Sequence, residues 1–433
     1  MTLGSPGTHA TAAPAHPATP AAHPAGPPAT GDGRREANAA TVLRTVLAEG
    51  PIARGAIARS CGLSPAAVSR QCTELLRLGL VRELPELAAR AGVGRPQMPL
   101  DLHTGDVGGP VAGALHIGVP GSTLGVVDLR GRVLERRVVW HEDLPADRVP
   151  GRVADELLLL LDESARERPV LGVGAAVGRW VRPSDGVVVR HDALGWYDRP
   201  LAAELEERLG LPVRLDNHAR AVAQSEILFG RPGARRSLVH LFVGNVVDAA
   251  FGTAGVIHQG PGAAAGDVAH LPVPGSDTPC ACGRTGCLGA TASDTAVAAE
   301  AVRRGIVDVP RMATLLAAAE AGHDGAAGLL RERARAVGRA VALLLDVFNP
   351  DLVVVTEQSL LADPGYLAEL RSSALEHSRV CDDPDRIVPP HAGPDVLAAA
   401  SATVLLHPLF AAPTRTTPFT VPGPASHPAG TRR

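Results

Sequence analysis

Three cysteines, Cys280, Cys282 and Cys287, fall within eight residues in the spacing C-x-C-x4-C, and His270 stands ten positions before the first. Three thiolates and one imidazole make a closed tetrahedral donor set, which holds a structural zinc ion and leaves no open position for catalysis. Gly283 and Gly286 lie among the thiols and let the backbone fold sharply around an ion. The chain has six cysteines in all. Half of them in one loop fits metal binding better than free thiols or a disulfide framework. A structural zinc on His270, Cys280, Cys282 and Cys287 is the expectation.

A second stretch, LDNHARAVAQSE, places Asn217, His218 and Arg220 at the head of a helical pattern ending in Glu226. A histidine can act as a general base. Its role here depends on what surrounds it.

The elements that must position these residues follow from the rest of the 433-residue chain. It is 45% hydrophobic and 20% charged, the balance of a globular protein of two to three domains. Aromatics are only 3%, so Leu, Val and Ala fill the core. No lysine occurs, and all basic charge is arginine. The opening 1–35 has the Ala/Pro/Gly bias of a disordered tail and lacks the basic start and apolar run of a secretory signal. No uninterrupted apolar run approaches about 18 residues, so no membrane span is expected and a reducing cytoplasm is.

Charge is uneven. Between Arg34 and Met98 ten Arg stand against five Glu, a surplus of five positive charges in a chain whose formal net charge is −3. A basic segment on an acidic body suits an anionic partner. Val42, Leu43, Val46 and Leu47 repeat at helical steps until Gly50-Pro51, a short helix follows from Arg54 to Ser60, and Cys61-Gly62-Leu63 turns the chain. Ser64-Pro65 then supplies an N-cap and a first-turn proline for a third helix, with Val68, Cys72 and Leu75 facing inward. This is a helix-turn-helix layout whose second helix enters the DNA major groove. Ser64, Ala66, Ala67, Ser69, Arg70 and Thr73 would face the bases, and Arg95 in GVGRPQMPL would enter the minor groove from a wing. From about His116 onward, apolar runs such as VLGVGAAVG, LVHLFVG and PDLVVVT alternate with helical segments, the pattern of an α/β domain.

Taken together, AGDVAHLPVPGSDTPCACGRTGCLG, PVRLDNHARAVAQSEILFG and the front module resemble the ROK family of transcriptional repressors and sugar kinases, from about residue 36 to 412. The resemblance implies a winged helix-turn-helix followed by an actin-like, ribonuclease-H-type sugar-kinase fold of two lobes around a cleft. It also assigns the same four residues to zinc. The organisation expected is a tail over 1–35, the DNA-binding domain and linker over 36–105, the kinase-like domain over 106–412 and a second tail over 413–433.

The sequence departs from the kinase pattern where phosphate chemistry resides. His218 stands where kinases of the family carry a catalytic Asp, with Asn217 and Arg220 at the flanking Asn positions. Pro120 replaces the magnesium-organising Asp and supplies neither ligand nor amide donor. Of a glycine-rich phosphate loop only Gly244 is kept in GNVVDAAFG, and Thr356-Glu357 replaces the adenosine-side glycines. Phosphoryl transfer rests on positioning and charge neutralisation, so no phosphotransferase is expected. Sugar contacts are thinned too: Asp267, Gly289 and Ala193 stand at positions of Glu, Glu and Asn. Asn217, His218, Arg220 and Asp267 form either an effector site, suited to an anion or a sugar derivative, or a polar cluster satisfied within a collapsed cleft.

The expectation is a DNA-binding transcriptional repressor, a dimer or tetramer on a double-stranded operator, with an inactive kinase-like domain for effector sensing. The alternatives are an ATP-dependent sugar kinase using His218 and a zinc-stabilised protein-interaction module.

Overall fold

The computed structural model describes residues 31–87, 98–104 and 107–415. At the front, Val42, Leu43 and Val46 are buried on one face of α1 (Gly31–Glu49). This helix begins inside the stretch expected as tail. Asp32 stands in its first turn, where a carboxylate meets the positive end of the helix dipole. β1 (Ile52–Ala53) leads into α2 (Arg54–Cys61), which Gly62 ends at φ 66°. Ser64 then accepts the Ala67 N–H to open α3 (Pro65–Arg77). β2 (Val81–Glu83) and β3 (Pro99–Leu102) complete a small antiparallel sheet ordered β1-β3-β2. Arg95 and the rest of 88–97 lie outside the described residues.

Runs rich in Val, Leu and Ala then build two five-stranded sheets. The first holds β4 (Val111–Ile117), β5 (Gly121–Asp128) and β6 (Val133–Trp140) as an antiparallel meander. After α4 (Val149–Ser164), β7 (Val170–Val177) joins β4 in parallel. A small sheet of β8 (Trp180–Arg182), β9 (Val187–His191) and β10 (Trp196–Arg199) intervenes before α5 (Leu201–Leu209) and β11 (Val213–Asn217), which pairs with β7 in parallel.

α6 (His218–Phe229) crosses to the second lobe, where β12 (Ser237–Val243), β13 (Val247–Thr253) and β14 (Val256–His258) form another meander. A long loop carries the three cysteines into α7 (Leu288–Ala292), followed by α8 (Asp294–Arg303), α9 (Met312–Glu320) and α10 (Asp324–Phe348). β15 (Leu352–Glu357) pairs with β12 in parallel, and after α11 (Gln358–Ala362) and α12 (Pro364–His377), β16 (Ile387–Val388) pairs with β15. The sheet orders are β6-β5-β4-β7-β11 and β14-β13-β12-β15-β16, so the second lobe repeats the first.

The last helix, α13 (Val396–Ala411), returns to pack on β4, β5, β7, α6 and α1. The stretch Gly393–Ala411 is long and apolar enough to cross a membrane, yet most of it is buried as a core helix. Its alanines allow a close approach to the sheet. A Cβ on Gly174 would lie 2.0 Å from the Ser401 carbonyl oxygen. The far end of α13, with Leu405, Leu406, Leu409 and Phe410, shares one core with Val42, Leu43, Val46, Leu100 and Leu102 of the front module. Two polar ties add to that core: Arg130 bonds the Leu47 carbonyl at 3.0 Å and pairs with Asp101. Residues 413–415 correct the expected tail boundary, because the Thr414 N–H donates to buried Glu36 at 2.8 Å.

Gly174→Ala is expected to destabilise the fold by about 1–3 kcal/mol through overpacking against α13. Gly151→Ala is the control: it sits in α4 with nothing within 4 Å and should be neutral or slightly stabilising. Urea midpoints of the two variants measure the difference.

Candidate DNA face, metal centre and interlobe cleft

Helix α3 presents Ser64, Ala66, Ser69, Arg70 and Thr73 to solvent, while Val68, Cys72 and Leu75 are buried. Ala67 departs from the expectation. It is buried with Gln71, because the inward stripe is wider than a single three-four repeat and takes in 67, 68, 71, 72 and 75. The Thr73 hydroxyl donates back to the Ser69 carbonyl at 3.0 Å, which fixes its orientation on the exposed face.

The cysteine loop brings its four donors together. Cys280 Sγ lies 3.6 Å from His270 Nδ1, Cys282 Sγ lies 3.6 Å from Cys287 Sγ, and all four donor atoms fall within 4.8 Å of one another. A tetrahedral site with metal–sulfur bonds of about 2.3 Å has edges of about 3.8 Å, so the residues fit a metal ion. The loop reaches this shape through Gly283 at φ 87° and Gly286 at φ 68°. At Gly286 a Cβ would also lie 2.4 Å from the Ser276 carbonyl oxygen. The hydrogen-bonded Arg284 side chain holds the Cys282 thiol down at about 6, which favours the thiolate that a metal needs.

Between the lobes, Asn217 closes β11 and N-caps α6, its Oδ1 accepting the N–H groups of Ala219 and Arg220. Its Nδ2 donates to the Arg179 carbonyl at 2.7 Å and to Asp248 Oδ2 at 3.2 Å. Arg220 is almost wholly buried. It bonds Asp216 at 2.7 Å, the Val181 carbonyl at 2.8 Å and the Ala263 carbonyl at 3.0 Å. The expected offer of its charge to an anion is therefore corrected, since the guanidinium is spent on the fold. Asp267 stays largely exposed, 3.8 Å from Arg179. It lines a side cavity of about 420 Å³ with Asn217, Arg220 and Asp248.

His218 turns away from that cavity. Its ring stacks on Phe242 at 3.8 Å between centroids and lies nearly parallel to His116 at 5.6 Å. Its Nε2 approaches Asp248 Oδ2 at 2.9 Å, off the line of a well-formed hydrogen bond. Asp248 also accepts the Arg179 N–H at 2.7 Å. Burial opposes ionisation of Asp248, but His218 and the Arg179 amide overcome it and hold the carboxyl at about 2. A carboxylate bound so strongly is a poor base.

Sequence reasoning missed Asp248, His116, His191 and Phe242. For His116 and Asp248 the signal was present: a titratable residue inside the apolar runs GALHIGV and NVVDAAF. The tips of the β4–β5 and β12–β13 hairpins meet over this cluster, where the Asn245 side chain donates to the Val119 carbonyl. They enclose a cleft of about 380 Å³ lined also by Pro120, Thr356 and Glu357, so the three degenerate kinase segments converge on one place. Beneath it Arg333, fully buried, pairs with Asp294 at 2.5 Å and Glu357 at 2.7 Å.

With this geometry in view, comparison with known proteins gives one answer. The family described as the ROK family matches residues 112–394. The transcriptional regulator Rv0485 of Mycobacterium tuberculosis is 34% identical over 357 residues, covering 77% of each chain. A putative xylose repressor of Caldicellulosiruptor is 28% identical over 356 residues, covering 78% of this chain and 87% of its own. Among solved structures, a ROK family transcriptional regulator described as a homologue of the E. coli MLC protein superposes with TM-score 0.68. It shares 22% identity and covers 87% of this chain and 98% of its own, a likeness of fold.

Burial pushes His116 down to about 3, His191 to about 4 and His240 to about 3. Unfolded, these imidazoles take up protons near 6.5, while the folded chain refuses them until far lower pH. Stability is therefore full above pH 6.5 and falls as the pH drops towards 4. The slope should approach about 4 kcal/mol per pH unit, the value for three protons. Urea unfolding between pH 7.5 and 5 measures it, and a flat profile would show that these rings are not held neutral.

Proposed function

The chain belongs to the ROK family, and from that premise we propose that it is a DNA-binding transcriptional repressor whose kinase-like domain senses rather than catalyses. One observation carries the reading: α3 is rigidly capped by Ser64 and shows Ser69, Arg70 and Thr73 to solvent on a basic module. On this reading residues 36–105 form a winged helix-turn-helix, and α3 reads a half-site in the major groove. Dimerisation through residues 106–412 sets the half-site spacing, and the protein acts on cytoplasmic DNA.

The lack of phosphotransferase activity in this reading has a physical basis. Pro120 and Glu357 line the cleft where kinases need a magnesium-organising carboxylate and close backbone donors, and Asp294 and Glu357 are already matched to Arg333. The cleft keeps a connection to the DNA module instead. Val396 and Leu397 line it at one end of α13, and Leu406 and Phe410 enter the core of the module at the other. With 16 residues the helix spans about 24 Å. A small-molecule effector works by binding the DNA-competent and incompetent arrangements unequally. His270, Cys280, Cys282 and Cys287 hold a structural zinc that pins the long loop between β14 and α7.

Two measurements test this reading. Arg70→Ala should weaken binding to a captured genomic site by about 1–3 kcal/mol relative to non-specific DNA; unchanged specific affinity removes Arg70 from the reading face. Metal analysis of the purified protein should find one zinc per chain, lost in Cys282→Ser with a lowered thermal midpoint, and a metal-free, equally stable wild type refutes the site.

A further inference from the structure

The cleft between the hairpin tips keeps the place of a nucleotide site but not its chemistry. Among its lining residues Arg136 is the single cation, and its guanidinium is turned to the Pro394 carbonyl at 2.9 Å and Asp395 at 3.6 Å. The carboxylates in the floor, Asp294 and Glu357, are matched to Arg333. Among these lining residues neither an anionic nor a cationic ligand finds an unmatched charge. What remains open is apolar: Val119, Pro120, Val246, Val396 and Leu397 inside. At the mouth, Val138 is 45% exposed, Trp140 62% and Leu361 38%. Large apolar side chains gathered in solvent at the rim of a concave site mark a ligand that covers them.

The polar atoms left over specify one further feature. His218 Nε2 faces the Asp248 carboxylate, so that nitrogen carries the proton, because a lone pair there would face a negative oxygen. In the neutral ring Nδ1 is then an acceptor, and it takes its hydrogen bond from His116 Nε2 at 3.4 Å. His116 Nδ1 is left as a lone pair with no partner, on a ring 6% exposed and lining the cleft. His191 Nδ1, on a ring 2% exposed, is a second unpartnered nitrogen in the same lining. A buried acceptor without a donor is costly to leave unmade.

We propose that this cleft binds an uncharged, largely apolar small molecule with one hydrogen-bond donor, which meets His116 Nδ1 while its body lies against Phe242, Trp140 and the start of α13. The ligand class is distinct from both nucleotide and sugar. Contact with Val396 and Leu397 gives it a route along α13 to the front module, which deepens the regulator reading, while occupancy of the cleft does not depend on DNA binding.

The test uses full-length protein at pH 7.5 and two probes of nearly equal shape, 2-naphthol and 2-methoxynaphthalene, titrated by calorimetry. Saturable naphthol binding about tenfold tighter than the ether is expected, the size of one good hydrogen bond. The preference should vanish in His116→Phe. In the wild type, the His116 Nδ1 nitrogen-15 resonance should move with naphthol and not with the ether, a readout independent of how the variant folds. Millimolar magnesium-ATP should displace nothing. Equal affinity for the two probes, no saturable binding of either, or displacement by ATP overturns the proposal. Naphthol binding by a protein that captures no genomic DNA sustains the site and counts against the DNA reading alone.

Discussion

The fold depends on how closely α13 can lie against the first-lobe sheet. That contact is backbone against backbone at Gly174 and backbone against the Ala398 methyl at Gly125. Gly174 and Gly125 on the strands face Ser401 and Ala398 on the helix, and any side chain at the glycines would collide. Because the approach is so close, the helix is held on β4, β5 and β7 at once and cannot turn independently of the lobe. Its far end then carries Leu406 and Phe410 into the core beneath α1, with Phe229 of α6 edge-on to Phe410 at 6.2 Å. The front module is thus part of a continuous core rather than a domain on a flexible tether. Motion of the first lobe against the second can reach the front module through this helix, the Arg130 ties and the Thr414–Glu36 bond.

The same economy appears in the cleft. Replacing a catalytic carboxylate by His218 did not leave the position empty; Asp248 supplies a carboxylate from β13, held by two hydrogen-bond donors with the His218 ring beside it. The ionic groups of the degenerate site satisfy one another: Arg220 with Asp216, and Arg333 with Asp294 and Glu357. Unpaired buried charges are strongly destabilising, so once phosphate and magnesium are no longer bound, the residues that faced them must find partners in the fold. Those that have not, the two imidazole nitrogens, are what a ligand has left to recognise.

Much of the molecule was legible beforehand where the information is local. The metal donors sit in one loop at fixed spacing, and glycines in the right places turn it. Helix α3 announced itself through a cap, a first-turn proline and a three-four apolar repeat. Ala67 went astray because a stripe's width depends on how deeply its partner helices sit, which periodicity does not encode. Arg220 went astray because charge in a sequence carries no record of which carbonyls the fold will bring to it.

The sequence by itself determined many of the elements, the α/β alternation and the donor types of the cysteine loop, since each rests on interactions within a few residues. Only the tertiary structure decided what the cleft can hold. His116 and His218 are 102 positions apart, and Asp248 belongs to the other lobe. Their hydrogen-bond order exists only once two sheets face each other. The direction in which each imidazole presents its lone pair is a property of that packing, and with it the chemistry of the cleft.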